Sequence, residues 1–482
     1  MSPTPFTPKL PTIIQGGMGV AVSSWHLARQ VSMAGELGVV SGTALDVVLA
    51  RKLQDGDLDG HCRRALAAFP LPEVADRLLE RYFIEGGKEA TKPYRPTPTL
   101  GLKQNLAAQE LAVAGNFVEV WLAKEGHDGI VGINFLEKIQ MATPAAAYGA
   151  MLADVDYVLM GAGIPAEIPA MLNDFAIHQE SGVGVDVADG TMKYRQTFDP
   201  QLIEGDTLPP LKRPMFLAIV SSHILAAFLF KTEATRPDGF VIEGIPAGGH
   251  NTPPRGKMQL NERGEPIYGP RDVCDFDKLG ELGLPFWLAG GCSTPEQVQD
   301  ALKTGARGVQ IGTLFALCND SGLINDVRKS LHSKLADGTL DVKTDALASP
   351  TGFPFKVAQL EDTISNEEVY QARERLCDLG YLRTPYERSP GQVGYRCASE
   401  PVDIYVRKGG DIEATVGRKC LCNGLMSSIG LGQTRPDGYH EAALSTLGSD
   451  LTGSRVMLNR HPEGWSAHQA IDFVMGRSGA SA

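Results

Sequence analysis

Eight short apolar runs recur between residues 12 and 313, and most of them end in Gly, Ser or Thr. Apolar residues follow one another in these runs without alternating with polar ones, which is typical of strands that are buried on both faces. Four of the seven start-to-start spacings are 23 to 26 residues, the length of one strand, one helix and short loops. The runs are TIIQGG from Thr12, GVVSG from Gly38, IVGINFL from Ile130, VDYVLMGAG from Val155, MFLAIVSS from Met215, GFVIEG from Gly239, PFWLAGG from Pro285 and GVQIGT from Gly308.

Helix-start signals lie between these runs. Ser23 and Ser24 precede apolar residues at helical spacing, Thr143-Pro144 opens an Ala-rich stretch as a cap followed by proline, and Thr294-Pro295-Glu296-Gln297 is typical of a capping box. Eight strand–helix units predict an α/β fold of the (β/α)₈ TIM-barrel type. A doubly wound open sheet is the alternative. The count of eight and the lack of an opening G-x-G-x-x-G favour the barrel.

The three long spacings predict insertions into the barrel. We expect a barrel domain over residues 1–345, with insertions at about 51–110, 178–212 and 251–272, and a mostly helical C-terminal extension over 346–482. The first insertion has the charged helical pattern of an exposed lid or small subdomain. The second alternates as a hairpin does, with ADG as its turn. The third is rich in Pro, Gly and charge and is expected to be a long loop at the barrel's carboxyl face.

Charge and composition narrow the possible partners. The chain has 45 basic against 57 acidic residues, a net charge of −12, so we expect no nucleic acid and no membrane among its partners. No apolar run reaches the roughly 18 residues of a membrane span, and the N-terminus has no signal-peptide core. Eight cysteines are too few for a disulfide scaffold. We therefore expect a cytoplasmic protein.

Two glycine turns at the end of the barrel give the strongest site signal. Gly290 and Gly291 follow the seventh run, and Gln310, Gly312 and Thr313 end the eighth. Loops after strands seven and eight of a barrel often bind phosphate. Backbone amides, with some help from a helix N-terminus, would hold the anion in so acidic a chain. The alternative is that these glycines only close tight turns.

The sixth run ends in a second candidate constellation. His250 follows Gly248 and Gly249, seven residues after Glu243, where an imidazole at a strand's carboxyl end can donate a hydrogen bond or exchange a proton. A surface or capped histidine is the alternative interpretation. His223, after the fifth run, is the only rival, and we expect it to be structural.

The first and third runs add residues that suit a planar ligand. Gly17, Met18 and Gly19 combine close backbone with a soft apolar side chain. Asn134 places an amide inside an apolar strand, where it needs a polar partner. An ordinary strand-to-helix turn is the alternative for the glycines.

Six motifs resemble those of the nitronate monooxygenase (2-nitropropane dioxygenase) family over roughly residues 10–325. In chain order they are IIQGGMG, SMAGELGVVSG, GINFL, IEG-x-x-AGGH, LAGG and GARGVQIGT. The resemblance implies an FMN-dependent barrel enzyme. It implies that His250 is catalytic. It assigns twelve residues to FMN: the ring to Gly17, Met18, Gly19, Gly248 and Gly249, the ring or ribityl chain to Asn134 and Glu243, and the phosphate to Gly290, Gly291, Gly312 and Thr313, with Gln310 nearby.

The same resemblance leaves the substrate open. The leading hypothesis is oxidation of an alkyl nitronate by dioxygen to a carbonyl compound and nitrite. The length of the chain is more similar to the FMN enoyl reductases of polyketide and polyunsaturated fatty acid synthases. That similarity implies an NAD(P)H-dependent enoyl-thioester reductase with an acyl-carrier protein as partner. A barrel that serves only as a scaffold subunit is the third alternative.

Four cysteines of the C-terminal extension could in principle ligate zinc or a cluster: Cys377, Cys397, Cys420 and Cys422. The Cys-x-Cys pair is tighter than the usual spacing of zinc knuckles. We therefore expect reduced structural cysteines and no metal.

Overall fold

A computed structural model describes residues 10–203, 208 and 210–477, and its centre is a closed barrel of eight parallel strands. The strands neighbour one another in chain order, and the eighth pairs with the first. Each contains part of one apolar run, so the predicted TIM barrel is confirmed and the open-sheet alternative is wrong. They are β1 (Ile13–Gln15), β2 (Leu37–Ser41), β3 (Val131–Leu136), β4 (Tyr157–Gly161), β5 (Met215–Val220), β6 (Gly239–Glu243), β7 (Phe286–Ala289) and β8 (Gly308–Ile311).

Helices surround the barrel and continue into the extension. They are Trp25–Met33, Leu45–Gln54, His61–Ala67, Pro72–Tyr82, Leu106–Lys124, Thr143–Leu152, Ile168–Ala176, His223–Phe230, Phe276–Gly280, Pro295–Lys303, Thr313–Ala316, Asn325–Ala336, Glu367–Ala372, Val402–Arg407, Leu421–Ser427, Thr452–Arg460 and Ala467–Val474. Single 3₁₀ turns occur at Pro200–Leu202, Pro270–Asp272 and Ile412–Thr415. Within the described residues, no helix is long and apolar enough to cross a membrane.

Two of the predicted helix starts are found and one differs. Ser24 accepts a hydrogen bond from the Leu27 amide, and Thr294 and Gln297 form the reciprocal capping box. Thr143 is not a cap, because it is already the first helical residue, and its hydroxyl donates to the Ile139 carbonyl at 3.1 Å. Proline fixes a helical φ at the next position and needs no amide donor there, so the helix can begin without a side-chain cap.

The barrel interior is closed at the amino end by apolar side chains. Leu37, Tyr157, Leu217 and Trp287 are almost fully buried there and belong to one cluster of inward-facing residues. The Trp287 indole donates to the Pro11 carbonyl at 2.9 Å, so its one polar atom is satisfied. Packing at this density leaves the carboxyl rim as the end of the barrel where a ligand can enter.

Long connections leave the barrel at three places. The excursion between β2 and β3 contains three helices and returns through Leu106–Lys124, which is buried along most of its length. After β4, Ser181–Val185 pairs antiparallel with Tyr194–Phe198, and the turn contains Asp189 and Gly190. After β6, the chain makes a long loop with a single 3₁₀ turn before helix Phe276–Gly280.

The extension folds back onto the rim of the barrel. Two further antiparallel hairpins follow β8: Val342–Asp345 with Phe355–Ala358, which begins just before the extension, and Thr384–Ser389 with Gln392–Arg396 within it. We call the first of these the rim hairpin, because its second strand pairs with the backbone beside β6. Asn251 donates its amide to the Pro354 carbonyl, and Lys356 donates its amide to the Gly249 carbonyl, both at 2.9 Å. Barrel and extension are therefore hydrogen-bonded where the carboxyl ends of the strands meet.

Candidate functional site

The carboxyl rim encloses a cavity of about 230 Å³ that gathers every site residue predicted from the sequence. The lining includes the thirteen residues Gly17, Met18, Gly19, Asn134, Glu243, Gly248, Gly249, His250, Gly290, Gly291, Gln310, Gly312 and Thr313. They come from the ends of β1, β3, β6, β7 and β8, which the closed barrel brings to one rim. Their individual roles remain predictions.

Two of the glycines are required by close approaches of backbone and side chains. A Cβ on Gly17 would lie 2.4 Å from the Cβ of Asn134, and a Cβ on Gly290 would lie 2.7 Å from the Ala247 nitrogen. Gly290 also has φ = +87°, in the left-handed region that side chains avoid. The turns after β1 and β7 therefore present bare backbone at these positions, because neighbouring protein atoms leave no room for a side chain.

The resemblance places Gly248 beside the flavin ring, but in the structure its missing side chain makes room for another part of the chain. A Cβ there would lie 2.8 Å from the Leu447 carbonyl carbon and 2.9 Å from the Gly448 nitrogen. Residues 446–450, which we call the strap, cross the rim at this point and also line the cavity. The missing side chain at Gly248 therefore accommodates the extension as well as leaving space for a ligand.

The strap is fastened to the glycine turns by hydrogen bonds. Thr446 Oγ1 accepts from the Gly249 amide at 2.9 Å, and the Ser449 amide donates to the Pro246 carbonyl at 2.9 Å. Thr313 Oγ1 accepts from the Gly448 amide at 2.8 Å, which leaves the hydroxyl proton of Thr313 free to donate. The C-terminal extension therefore fixes the turns after β6 and β8.

The helix after β8 is too short to help hold an anion through its dipole, as the sequence had suggested. Thr313–Ala316 has only four residues, so an anion beside it would depend on individual amides and the Thr313 hydroxyl. Asp450 also lines this end, its Oδ2 lying 3.8 Å from where a Gly291 Cβ would be. Burial opposes ionisation of Asp450, but hydrogen bonds from Thr452 and Gln297 hold its pKa below the usual value. A negative charge is therefore present at the edge of the predicted phosphate site.

Two amide side chains are left for a ligand. Gln310 Oε1 is buried and has no hydrogen-bond partner among the residues that the structure describes. The Asn134 side chain makes no hydrogen bond to any residue in the described ranges, although it lines the same cavity. A buried amide oxygen without a donor is costly, so a bound molecule with polar edges would satisfy what the protein does not.

Glu243 is a half-buried residue at the end of β6. The Asn251 side-chain amide donates to its Oε1 at 3.3 Å. Burial raises the pKa of Glu243 to about 7, while the Asn251 hydrogen bond and the charge of Lys356 act in the opposite direction. Glu243 can therefore gain or lose a proton near neutral pH.

His250 is held by the rim hairpin. Its Nε2 lies 2.7 Å from Ser349 Oγ, and its ring meets the Phe355 ring edge-on with centroids 4.8 Å apart. Burial lowers the pKa of His250 to about 4, and the charge of Lys138 adds to this effect. The imidazole is therefore neutral at pH 7 and acts as a hydrogen-bond donor or acceptor. The sequence had left a protonated ring equally open.

His223, the rival histidine, does not line the cavity. It is the first residue of helix His223–Phe230, and its Nδ1 accepts from the Asp275 amide at 3.2 Å. This contact joins two elements on the outside of the barrel. The geometry agrees with a structural role.

Sequence analysis missed the part of the site that the extension contributes. Ser349, Phe355, Tyr381, Leu382 and the strap follow β8 by 38 to 139 residues, in a region without a repeating pattern. Their proximity to the rim is created by the fold, and no local motif announces it. The one local signal is the glycine in Leu447-Gly448-Ser449-Asp450, where the strap touches Pro246.

The four cysteines of the extension lie beside this site. Cys377, Cys397, Cys420 and Cys422 line one small cavity, and Cys422 also lines the large one. All are free thiols. Burial raises the pKa of Cys422, which keeps this thiol protonated. In the described part of the chain, no group of three or more His, Cys, Asp or Glu residues is arranged to hold a metal ion.

The lining of the large cavity contains no lysine or arginine among the described residues. Its charged groups are the acidic Asp450 and the titratable Glu243. A ligand with a negative charge over the glycine turns would be held by neutral donors alone.

Comparison with known proteins gives matches over part of the chain. Residues 213–346 match the family model described as Nitronate monooxygenase. A nitronate monooxygenase from Pseudomonas aeruginosa is 35% identical over 123 residues, which are 25% of this chain and 33% of that protein. One from Paraburkholderia phytofirmans is 29% identical over 148 residues, covering 29% of this chain and 36% of that protein. The chain thus spans about a third of the length of these curated relatives.

Solved structures match more of the chain at lower identity. The enoyl reductase domain of MlnA, from the macrolactin biosynthesis cluster of Bacillus amyloliquefaciens, has a TM-score of 0.47 and 12% identity. This match covers 97% of this chain and 94% of the MlnA structure. The match to FabK from Thermotoga maritima covers 97% of this chain and 92% of that structure. FabK has a TM-score of 0.47 and 14% identity. The matches to the family model and to the curated relatives confirm the resemblance that the motifs indicated.

Proposed function

We propose that this chain, a relative of the nitronate monooxygenase family through the segment that carries β5 to β8, is an FMN-dependent oxidoreductase that oxidises alkyl nitronates with dioxygen. The products would be a carbonyl compound and nitrite. The observation that carries the proposal is the single rim cavity in which the glycine turns after β1, β6, β7 and β8 meet His250. Backbone groups and one imidazole can bind and orient a molecule at the carboxyl face of a barrel, but they cannot transfer electrons themselves. A bound cofactor would have to perform that part of the reaction.

The residues that line the cavity fit FMN. Gly17 and Gly290 bring bare backbone to the wall of the cavity, and the unpartnered Gln310 Oε1 needs a donor from a ligand. The free Asn134 amide would serve the polar edge of the ring or the ribityl chain. The amides of Gly291 and Gly312 with the Thr313 hydroxyl would hold the phosphate. Asp450 opposes this anion, so we expect binding to be weaker than these donors alone would give.

His250 and Glu243 would act on the substrate in different ways. FMN, when bound, supplies electron transfer between the substrate and dioxygen. Neutral His250 can donate one N–H hydrogen bond to a nitronate oxygen and so orient it. Glu243 titrates near pH 7 and can take up or release a proton at the β6 end of the cavity.

A second function is favoured by the electrostatics of the cavity. An anionic nitronate finds no lysine or arginine among the described lining residues, whereas the carbonyl of a neutral enoyl thioester needs only a hydrogen-bond donor. NAD(P)H-dependent reduction of an enoyl thioester, presented by an acyl-carrier protein, is therefore the second candidate. The role of His250 as a hydrogen-bond donor is the same in both.

Anaerobic reduction of the FMN-loaded chain separates the two. The loss of the visible flavin absorbance is followed after mixing with propyl-2-nitronate alone and, separately, with NADPH alone. Rapid bleaching by the nitronate without NADPH supports the first function. Rapid bleaching by NADPH with none by the nitronate transfers the proposal to the reductase. Absence of FMN uptake would contradict both and leave the scaffold alternative.

A further inference from the structure

Ser349 lies outside the barrel and yet makes the one side-chain hydrogen bond that His250 has in the described residues. It is in the loop of the rim hairpin and is fully buried. The main chain on both sides of His250 is bonded to the same hairpin, through Gly249 and Asn251. The rim hairpin thus holds both the His250 ring and the main chain on either side of it, which keeps the Ser349 hydroxyl within hydrogen-bond distance of Nε2.

The loop that carries Ser349 is itself held from the far side. Arg418 Nη1 donates to the Ser349 carbonyl at 2.6 Å and to the Leu347 carbonyl at 2.8 Å. The Lys419 amide donates to the Ala348 carbonyl at 2.9 Å. Three consecutive carbonyls of the loop are therefore fixed by the extension, which holds the main chain of Ser349 in place beside the imidazole.

Two proton arrangements are open around Ser349, and they differ in where the spare proton lies. Ser349 Oγ contacts His250 Nε2 at 2.7 Å, Thr351 Oγ1 at 2.8 Å and the Thr351 amide at 3.3 Å. If Ser349 donates to Nε2, the Thr351 hydroxyl donates to Ser349, and the proton without an acceptor among the described residues is the one on His250 Nδ1. If Nε2 donates to Ser349 instead, Ser349 donates to Thr351, and the spare proton is on the hydroxyl of Thr351, which is not among the described residues that line the cavity. Only the first arrangement gives the ring a proton that a ligand in the cavity can accept.

We propose that Ser349 is a positioning residue for His250. The Ser349 hydroxyl donates to His250 Nε2 and so keeps the ring proton on Nδ1, where a ligand in the cavity can accept it. Nδ1 makes no hydrogen bond within the described part of the chain, and His250 lines the cavity. The ring is neutral there, so only one of its nitrogens carries a proton and the choice of nitrogen matters. The use of that proton on a substrate rests on the function proposed above; the choice of nitrogen does not.

The test compares Ser349→Ala with Ser349→Thr, which keeps the hydroxyl, and with Ser427→Ala as the matched control. Ser427 is a buried serine of the extension that donates to the Asn423 carbonyl, and among the described residues it makes no hydrogen bond to His250 or to the rim hairpin. The first readout is the pair of ¹⁵N shifts of the His250 ring in protein labelled at histidine, assigned by their absence in His250→Asn. It is recorded without and with FMN, so it does not depend on activity.

We expect the wild type, Ser349→Thr and Ser427→Ala to show the proton on Nδ1, and Ser349→Ala to show it shared between both nitrogens. With whichever of propyl-2-nitronate or NADPH plus an enoyl thioester is turned over, kcat of Ser349→Ala should fall about tenfold with KM within about twofold, the size of one neutral hydrogen bond. Unchanged ring shifts in Ser349→Ala, or a wild-type proton on Nε2, would overturn the proposal.

The two readouts distinguish this proposal from the function it serves. Altered ring shifts with unchanged turnover would leave Ser349 as the positioning residue and remove the His250 proton from the reaction. If Ser349→Ala does not fold, Ser349→Cys provides the measurement, because a thiol keeps the volume but is a weaker donor. Its ring shifts should move in the same direction by less, and shifts identical to the wild type would again contradict the proposal.

Discussion

The barrel and the extension contribute to the cavity in different ways. The barrel presents mainly backbone, in glycine turns such as Gly17 and Gly290 where a Cβ would collide with neighbouring atoms. The extension presents side chains, such as Ser349 on His250 and Thr446 on the Gly249 amide. The barrel thus gives the cavity a wall made mainly of backbone, and the extension sets the orientation of His250 and of the turn at Gly249.

Removing the imidazole tests the chemistry that both regions support, and it has the largest expected effect. His250→Asn keeps a polar side chain beside Ser349 but loses the ring, and turnover should fall by about 100-fold or more. The FMN content per chain should be unchanged, because the ring does not form the glycine turns. Turnover is measured by initial rates at saturating substrate. A variant that keeps wild-type turnover would separate His250 from the reaction.

The two titratable groups beside β6 should give opposite pH dependences. The pKa of Glu243 is raised to about 7 in the folded chain, so the stability that this shift contributes is present below about pH 4.5 and is lost as the pH rises through 7. Glu243→Gln should gain of the order of 3 kcal/mol relative to the wild type between pH 4.5 and 8. Urea unfolding of the FMN-free chain measures this difference.

His250 supplies the contrasting case for the same experiment. Its pKa is lowered to about 4, so its contribution is present above about pH 6.5 and is lost as the pH falls towards 4. His250→Asn should therefore lose this acid sensitivity, while Glu243→Gln keeps it. Parallel curves for both variants over the whole range would contradict the assigned burial of the two groups.

Filling a barrel turn tests the claim that its bare backbone lines the site. Gly17→Ala places a Cβ 2.4 Å from the Asn134 Cβ, so Asn134 must shift from its place in the cavity wall, and FMN affinity should fall about tenfold or more, the equivalent of about 1–3 kcal/mol. Gly280→Ala is the matched control, since its Cβ would meet nothing within 4 Å. Fluorescence titration with FMN measures both. Equal affinities would show that the turn after β1 does not contact the cofactor.

Cutting one bond of the strap gives the smallest effect. Thr446→Val keeps the shape of the side chain but leaves the Gly249 amide without its acceptor. A lost hydrogen bond of this kind is worth about 1 kcal/mol, so FMN affinity should fall about fivefold. Thr304→Val, which removes a hydroxyl from the end of helix Pro295–Lys303, should leave it unchanged. The strap has no part in positioning the turn if both variants bind equally.

Sequence reasoning reached the barrel part of the site and failed at the extension for a physical reason. Strands such as Met215–Val220 are buried on both faces, so their apolar runs are continuous and the barrel closure then places every strand end at one rim. The candidate residues on those ends, including His250 and Gly312, could therefore be identified together. Residues 346–450 form short helices, hairpins and loops whose place depends on long-range packing, which no periodicity in the chain records.

The pKa values show the same limit at the level of single residues. The position of His250 after two glycines was enough to select it, but its neutral state depends on the burial created by the rim hairpin. Glu243 was selected only as a polar contact for a cofactor, and its pKa of about 7 follows from burial beside Asn251. A residue type and its place on a strand can be inferred from sequence, whereas its ionisation depends on the neighbours that folding supplies.

The central claim is that the rim cavity binds FMN between the glycine turns and His250. Titration of the purified, flavin-free chain with FMN, followed by the perturbed visible spectrum and by the quenching of flavin fluorescence, tests it most directly. The account predicts saturation at one FMN per chain and weaker binding in Gly17→Ala but not in Gly280→Ala. An unperturbed flavin spectrum at all concentrations, or saturation that Gly17→Ala does not weaken, would contradict it.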